Sequence, residues 1–479
     1  MNALKPLWKD FAYTPHQIYG VNWLLQREKE KGESKGGCLC DEMGLGKTIQ
    51  MLGLINESPN SSTLMVVPLA VANQWKDSAI RCRINTMVFA EHSWKLKSPP
   101  FPYRPTIYII GYEALANNIS TVSVIHFDRL ICDEAHRLGV KNIRGLLARN
   151  KPVKKIGYKT IMQVKAESKW FLTATPVVNS QDDVLTLFAL LDKRLNTLPI
   201  AELMEKYVLA RTMAQLRTSI SDAPLIPIIQ THKLDFSSKE EEEFYVSIQT
   251  NIKKQLSYNE GALVILRLIM LLRQLSIHPQ VYIGARQRKY KTLPQPDWTV
   301  PSTKFLKMKE LIEEGQREKG GHKWIIFCQF HDEMMLLKSY LSTLKFIRHI
   351  ETYSGTLSME QKAEALKKVS MPSEDTCDVL LLQLKAGGVG LNLQVFDRII
   401  FNSPWWTQAA IEQGIGRAVR IGQTKQVVVH NLVLKQEEVN SVRNIDTWMR
   451  RIAEEKSVMN EIVLNMANNS LQTSLQPTR

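Results

Sequence analysis

Two stretches of the chain share one pattern, in which short, almost uninterrupted apolar runs alternate with helical periods. The runs of the first stretch are GGCLC (36–40), TLMVVP (63–68), TIYII (106–110), RLICDEAH (129–136) and WFLTATP (170–176). Those of the second are KWIIFCQF (323–330), DVLLLQL (378–384), DRIIFN (397–402) and QVVVHNLVL (426–434). Strands this apolar, separated by helices, predict parallel sheets covered on both faces. The expected class is therefore α/β with two lobes. Between them SSKEEEEFY starts with the spacing of a capping box, Ser238 with Glu241, and predicts a helix whose glutamates form a solvated first turn. GALVILRLIMLLRQLSIHP predicts a mostly buried helix after it. IGARQRKYKTLPQPDWTVP is basic and proline-rich, and predicts an irregular linker to the second lobe. The polar tail NNSLQTSLQPTR is expected to lack order. No internal repeat of solenoid period is visible.

Composition narrows the class. With 479 residues, 44% of them hydrophobic and 23% charged, the chain reads as globular and long enough for two or three domains. Its longest apolar run is short and interrupted by Arg267, so no bilayer span is expected. MNALKPLWKD lacks the apolar stretch of a secretory signal, which predicts an intracellular protein. Six cysteines show no CxxC pair and no Cys/His ligand spacing, so reduced thiols and no zinc site are expected. The formal charge of +15 favours a polyanionic partner, because each phosphate neutralised releases counterions.

The chemistry begins at DEMGLGKT (41–48), placed after an apolar strand and before a helix. A glycine-rich turn at a helix N-terminus aims backbone N–H groups at phosphate oxygens, and the helix dipole adds to the attraction. Gly44 and Gly46 allow close approach; Lys47 is expected on the β- and γ-phosphates of ATP and Thr48 on Mg2+. Asp41 stands where the strict pattern has glycine. At the end of the strand RLIC, Asp133 is expected to bind the metal and Glu134 to orient or deprotonate the attacking water.

The ordered set of motifs resembles the Swi/Snf-type branch of helicase superfamily two, over about residues 10–440. HQIYGVNWL (16–24) is similar to that family's adenine-recognition segment, which implies a role for Gln17. VVPLAVANQWKDS (66–78) and IIGYEAL (109–115) resemble segments lying along the DNA backbone, which implies Pro68, Gln74, Gly111 and Tyr112 as DNA contacts. FDRLICDEAHRLG resembles the metal-binding segment, LTATPVVN (172–179) the one coupling hydrolysis to DNA, and LIMLLRQLSIHP the helix after the family's first protrusion. KWIIFCQFHDEMMLL (323–337) resembles the opening of the second lobe.

In that lobe LKAGGVGLNL (384–393) is a glycine-rich turn suited to a DNA phosphate, with Lys385, Gly387, Gly388 and Gly390 as candidate contacts, the last assigned to the nucleotide. QGIGRAVRIGQ (413–423) fits Gln-x-x-Gly-Arg-x-x-Arg and places Gln413 at the nucleotide. Arg417 and Arg420, three apart, are expected on one helical face, where they would stabilise the transferring phosphoryl group. In PWW (404–406) at least one tryptophan is expected to pack, with Trp406 on the DNA. Ser403, Thr407-Gln408 and Val419 depart from the family pattern; the last is tolerated by the superfamily, whereas the others bear on coupling to DNA.

The resemblance implies two RecA-like lobes: 1–215, a helical protrusion and linker at 216–300, a second lobe at 301–445, and a C-terminal helix and tail at 446–479. It implies ATP and Mg2+ bound between residues of both lobes, and duplex DNA as partner, with nucleosomes or other DNA-bound proteins beyond it. No membrane is expected among the partners, and the compartment is the nucleus, a viral replication site or the cytoplasm according to the host. Two rivals stay open: a strand-separating or RNA-directed ATPase, and a catalytically silent scaffold. The lysine-rich RNKPVKKIGYK (149–159) reads equally as a DNA contact and as a solvated loop.

Overall fold

The computed structural model describes residues 4–474 except positions 32, 60, 150, 218–222, 259–261, 290–296, 319–320, 372–376, 385–390, 421 and 436–443. They form two compact units, residues 1–223 with 455–479 and residues 224–454.

The first unit is built on β1 (Gly36–Leu39), β2 (Ser62–Val67), β3 (Asn85–Ala90), β4 (Ser93–Leu96), β5 (Thr106–Gly111), β6 (His126–Asp133), β7 (Lys165–Leu172) and β8 (Val208–Leu209). Among the described residues they make one sheet in the order β4-β3-β5-β2-β6-β7-β1-β8. Its pairings are parallel except in the β3–β4 hairpin. Leu64, Val66, Leu130, Cys132 and Phe171 from the inner strands are fully buried, as strands with helices on both faces require. Register then decides where chemistry can gather. Leu39 and Asp133 both align with Leu172, so β1, β6 and β7 end level with one another. At about 4.8 Å per strand, the loop after β1 starts roughly 10 Å from Asp133.

The second unit holds β9 (Ile228–Leu234), β10 (Lys323–Cys328), β11 (Ile347–Tyr353), β12 (Cys377–Gln383), β13 (Arg398–Phe401) and β14 (Val428–Leu434), in the order β11-β12-β10-β13-β14-β9. Every pairing is parallel. A buried polar cluster ties its parts together. Asp446 meets the Lys304 ammonium at 2.7 Å and accepts from Ser276 Oγ at 3.0 Å and from the Leu434 amide at 3.0 Å. Glu333, fully buried, accepts from Asn402 Nδ2 and from the amides of Gln329 and Phe330.

All nine apolar runs form strands, which makes the α/β class a finding. Several expectations between and beyond them change. Ile228–Leu234, from the stretch read as helical protrusion, is an edge strand of the second sheet; its largely exposed side chains lack the apolar run of a central strand. Helix Ala262–Ile277 is buried only in its second half, and Leu263, Val264 and Leu266 are exposed. The basic segment after it is not irregular at its start, because Pro279 opens a helix to Lys289 at the position where a missing N–H costs nothing. Glu241 is not part of a solvated turn. Its amide does cap on Ser238 Oγ, but its carboxylate is buried and accepts from the Thr303 amide and hydroxyl. The C-terminal helix, Ile445–Ser474, runs into the tail expected to lack order, anchored where Val463 and Ala467 enter the first unit's core.

Candidate nucleotide site and nucleic-acid surface

The loop after β1 leads into helix Lys47–Asn56 with Gly46 as its N-cap. Gly44 and Gly46 have φ of 92° and 80°, in the left-handed region that disfavours a side chain. A Cβ on Gly46 would lie 2.6 Å from Gln17 Nε2, so the glycine also admits Gln17 against the loop. Gln17 belongs to helix Pro15–Lys29, where its Oε1 accepts from the Thr14 amide in a capping box. His16, beside it, bonds the Leu45 carbonyl at 3.0 Å. The segment read as adenine recognition thus packs directly on the phosphate loop.

Lys47 Nζ donates to the Asp41 carbonyl at 2.6 Å. Burial pulls its pKa down, while Asp41, Glu134 and Asp133 push it back up. Thr48 follows it, half-buried, in the first turn of the same helix. Asp41 was expected to line the nucleotide site, but its side chain turns the other way. Fully buried, it accepts from Arg211 Nε at 2.9 Å, Arg211 Nη2 at 2.5 Å and Gln50 Nε2 at 2.9 Å. A buried carboxylate needs such partners, and here they brace the base of the loop from behind.

At the end of β6, Asp133 accepts from Trp75 Nε1 at 2.8 Å. Burial, then the neighbouring Glu134 charge, raise its carboxyl to about 6. Glu134 lies at φ 51°, a strained backbone for a non-glycine residue. Burial, with Arg137 nearby, lowers His136 to about 4, so the ring is neutral near pH 7. Its Nδ1 is hydrogen-bonded with Thr173 Oγ1 at 3.2 Å and lies 3.3 Å from Glu134 Oε2, a contact that is not an ion pair while the ring is neutral. Thr173 Oγ1 also accepts from the Thr175 amide. Glu134 and LTATPVVN thus meet at the His136 ring.

On the outer surface Gln74 is exposed, on helix Leu69–Arg81, and Gly111 ends β5 half-buried. Two expected DNA contacts point elsewhere. Pro68 is buried as the N-cap of that helix. The Tyr112 hydroxyl donates inward to the Asp133 carbonyl at 2.7 Å.

In the second unit helix Gln408–Ile415 carries Gln413, half-buried, and ends before the arginines. Arg417 and Arg420 therefore do not share a helical face. They lie in the turn that follows, since Gly414 and Gly416 weaken the helix there. Arg417 is buried and its carbonyl accepts from the Leu393 amide; Arg420 Nε donates to the Gly416 carbonyl at 2.9 Å. A side chain on Gly414 would press on Phe327 and Phe401, stacked at 4.7 Å. Of PWW, Trp405 is buried and Trp406 half-buried. Arg273, from LIMLLRQLSIHP, sits 5.6 and 5.4 Å from their ring centres, and donates to the Pro404 carbonyl. Lys385, Gly387, Gly388 and Gly390 lie outside the described residues.

Trp75, His136, Thr173, Arg211 and Arg273 complete the arrangement, and no motif spacing singled them out. Trp75, His136, Thr173 and Arg273 were hinted at only by their positions inside the quoted segments, and Arg211 lies in none of them. All six cysteines are buried and free. No helix among the described residues is long and apolar enough to cross a membrane, and no group of three or more metal-ligating side chains appears among them.

The SNF2-related domain matches residues 16–198, and the helicase conserved C-terminal domain matches residues 303–422. The chain is a Snf2-type ATPase of helicase superfamily two. It is 25% identical to the ISWI chromatin-remodeling complex ATPase ISW2 of Saccharomyces cerevisiae, over 87% of this chain and 38% of that protein. It is 23% identical to the DNA repair protein RAD5 of Candida albicans, over 97% of this chain and 61% of that one. A viral relative of similar length, the probable global transactivator of Orgyia pseudotsugata multicapsid polyhedrosis virus, is 25% identical over 92% of this chain and 89% of its own. The Sulfolobus solfataricus SWI2/SNF2 ATPase core solved with dsDNA is 22% identical, with a TM-score of 0.40, over 99% of this chain and 97% of that chain. This ATPase thus spans 38% and 61% of the first two curated relatives, less than two thirds of either. The family implies ATP as the nucleotide.

Proposed function

We propose that this ATPase hydrolyses ATP in response to duplex DNA and tracks along it, remodelling chromatin or displacing bound proteins. The observation that carries the reading is the hydrogen bond from Trp75 to Asp133. Trp75 shares a helix with the exposed Gln74, in the segment expected on the DNA backbone, and Asp133 is the expected metal carboxylate. A second bond, from Tyr112 to the Asp133 carbonyl, joins the other such segment to the same strand end. A displacement of either segment by DNA is felt where hydrolysis occurs.

The residues present fit a magnesium nucleotide. The two positive-φ glycines shape a loop that lets backbone N–H groups approach phosphates, Lys47 is held at the helix N-terminus, and Asp133 carries a half-buried carboxylate. Thr48 and Asp133 would hold Mg2+, which supplies charge neutralisation at the β- and γ-phosphates. Glu134 orients the attacking water and takes its proton, with the neutral His136 fixing the carboxylate. Arg417 and Arg420 stabilise the charge that develops on the transferring phosphoryl group. Contacts to the DNA backbone carry little sequence information, so binding is weakly specific and strongly dependent on salt.

The test is the steady-state ATPase rate at low salt, alone and with blunt duplex DNA, single-stranded DNA or duplex RNA, with Glu134→Gln as control. Stimulation by blunt duplex that is not unwound, lost in the control, supports the reading. Stimulation by single strands or RNA alone replaces it with a strand-separating or RNA-directed enzyme. Absence of hydrolysis under every nucleic acid leaves the silent scaffold.

A further inference from the structure

The segment from Gly139 to Lys159 carries seven lysines and arginines and no aspartate or glutamate, against a net charge of +15 for the whole chain. It leaves the DEAH turn, forms helix Ile143–Ala148, and enters helix Ile156–Gln163. Val140, Ile143 and Val153 are buried in the first unit's core and pin its backbone at three points. Between them opens a pocket of about 430 Å3, a size typical of small-ligand sites.

Lys141, Lys151, Lys154 and Lys155 line this pocket, and no carboxylate does. All four are exposed along their length, yet Lys155 is not free to splay, because its ammonium donates to the Gly139 carbonyl. The acids standing closest in the fold are already engaged. Asp183 lies behind Gly139 and accepts from the amides of Val178, Asn179 and Ser180, and Asp182 accepts from the Asn142 amide. Four like charges around one hollow repel one another, and a multivalent anion between them reverses the sign of that interaction. Beside Gly139, the remaining lining of Val140, Leu146 and Pro152 is apolar, which suits the sugar faces flanking a phosphodiester better than bare phosphate.

We propose that this pocket binds phosphate groups outside the nucleotide site, with the sugar–phosphate backbone of a nucleic acid as their source. Its choice of ligand rests on the DNA-tracking reading; its chemistry does not. It adds a grip on the polyanion independent of Gln74 and of the second unit.

The experiment measures equilibrium binding of the full chain to a blunt duplex across a salt series without ATP. The wild type is compared with a variant carrying Lys141→Gln, Lys151→Gln, Lys154→Gln and Lys155→Gln, and with the four Lys→Arg exchanges. The expected result is weaker binding and a fall in the slope of log K against log salt of about 1 or more in the glutamine variant, with the arginine variant keeping the wild-type slope. Stabilisation of the ligand-free chain by tripolyphosphate is the second arm. Its loss in the glutamine variant, with the DNA slope unchanged, keeps the phosphate site and assigns it to soluble polyphosphates. If neither readout differs from wild type, the proposal is overturned, while duplex-stimulated hydrolysis by the wild type still judges the DNA-tracking reading separately. Should the fourfold variant fail to fold, Lys151→Gln with Lys154→Gln answers the same question at a smaller slope change.

Discussion

The two units present their chemistry on opposite principles. In the first, the reactive side chains stand at level strand ends, and each has its own partner. Lys47 is held by the Asp41 carbonyl and Asp133 by Trp75, and the His136 ring stands 3.3 Å from Glu134. In the second, Arg417 and Arg420 stand in a turn after a helix that has ended, where the Arg417 carbonyl accepts from the Leu393 amide and Arg420 Nε donates to the Gly416 carbonyl. A group that must be ready before the nucleotide arrives needs a rigid, prepaid geometry. A cation proposed to act only as charge develops on the phosphoryl group meets a different demand, because it is needed after the nucleotide is seated. The difference teaches where rigidity matters to this enzyme.

The largest effects break the comparison from both sides. Arg420→Ala and Lys47→Ala should each remove nearly all hydrolysis, by roughly 10³-fold or more. They should separate in nucleotide binding, weakened for Lys47→Ala and close to wild type for Arg420→Ala. Equal loss of affinity in a fluorescent-nucleotide titration would mean that the arginine binds the ground state as well.

Next in size is the brace behind the phosphate loop. Arg211→Leu leaves the Asp41 carboxylate buried without its cation and should cost about 3–5 kcal/mol of unfolding free energy. Adding Asp41→Ala should return part of that loss. A double variant as unstable as the sum of the single ones, by urea denaturation, argues against a coupled pair.

The second unit should answer to pH at a histidine pair between β9 and β14. His232 Nε2 and His430 Nδ1 lie 3.0 Å apart, and burial lowers His430 to about 4 from an ordinary 6.5. Because the folded value lies below the unfolded one, the contribution is whole above pH 6.5 and is lost as pH falls from there towards 4. The loss should reach roughly 2–3 kcal/mol. His430→Asn should flatten that slope, read as the urea midpoint at pH 7.5 and pH 4.5; an unchanged slope would place the sensitivity elsewhere.

The smallest effect is the sharpest for function. Trp75→Phe keeps the packing but removes the donor to Asp133, a hydrogen bond to a charged group worth about 1.5–3 kcal/mol. Basal hydrolysis should fall modestly, and stimulation by duplex DNA should fall further. A parallel drop in both rates means that Trp75 only supports the carboxylate.

The fold was legible because its signal is local: nine apolar runs, each long enough to cross a sheet, alternate with helices. The edge strand Ile228–Leu234 was not, since an edge buries too little to show an apolar pattern and is recognised only by its partner, Val428–Leu434. The site divides in the same way. Gly44, Gly46, Lys47, Asp133 and Glu134 could be named from spacing and residue type, because a phosphate loop and a strand-end acid pair are short-range arrangements. The inward turn of Tyr112, the burial of Pro68 and the capture of Asp41 by Arg211, 170 residues away, depend on which surfaces meet. The sequence by itself determined the element order, the phosphate-binding chemistry and the basic character of the chain. Tertiary structure alone decided which polar groups face one another and which face out, because a buried charge or hydroxyl takes whatever partner the packing brings within 3 Å, and no periodicity in the chain records that distance.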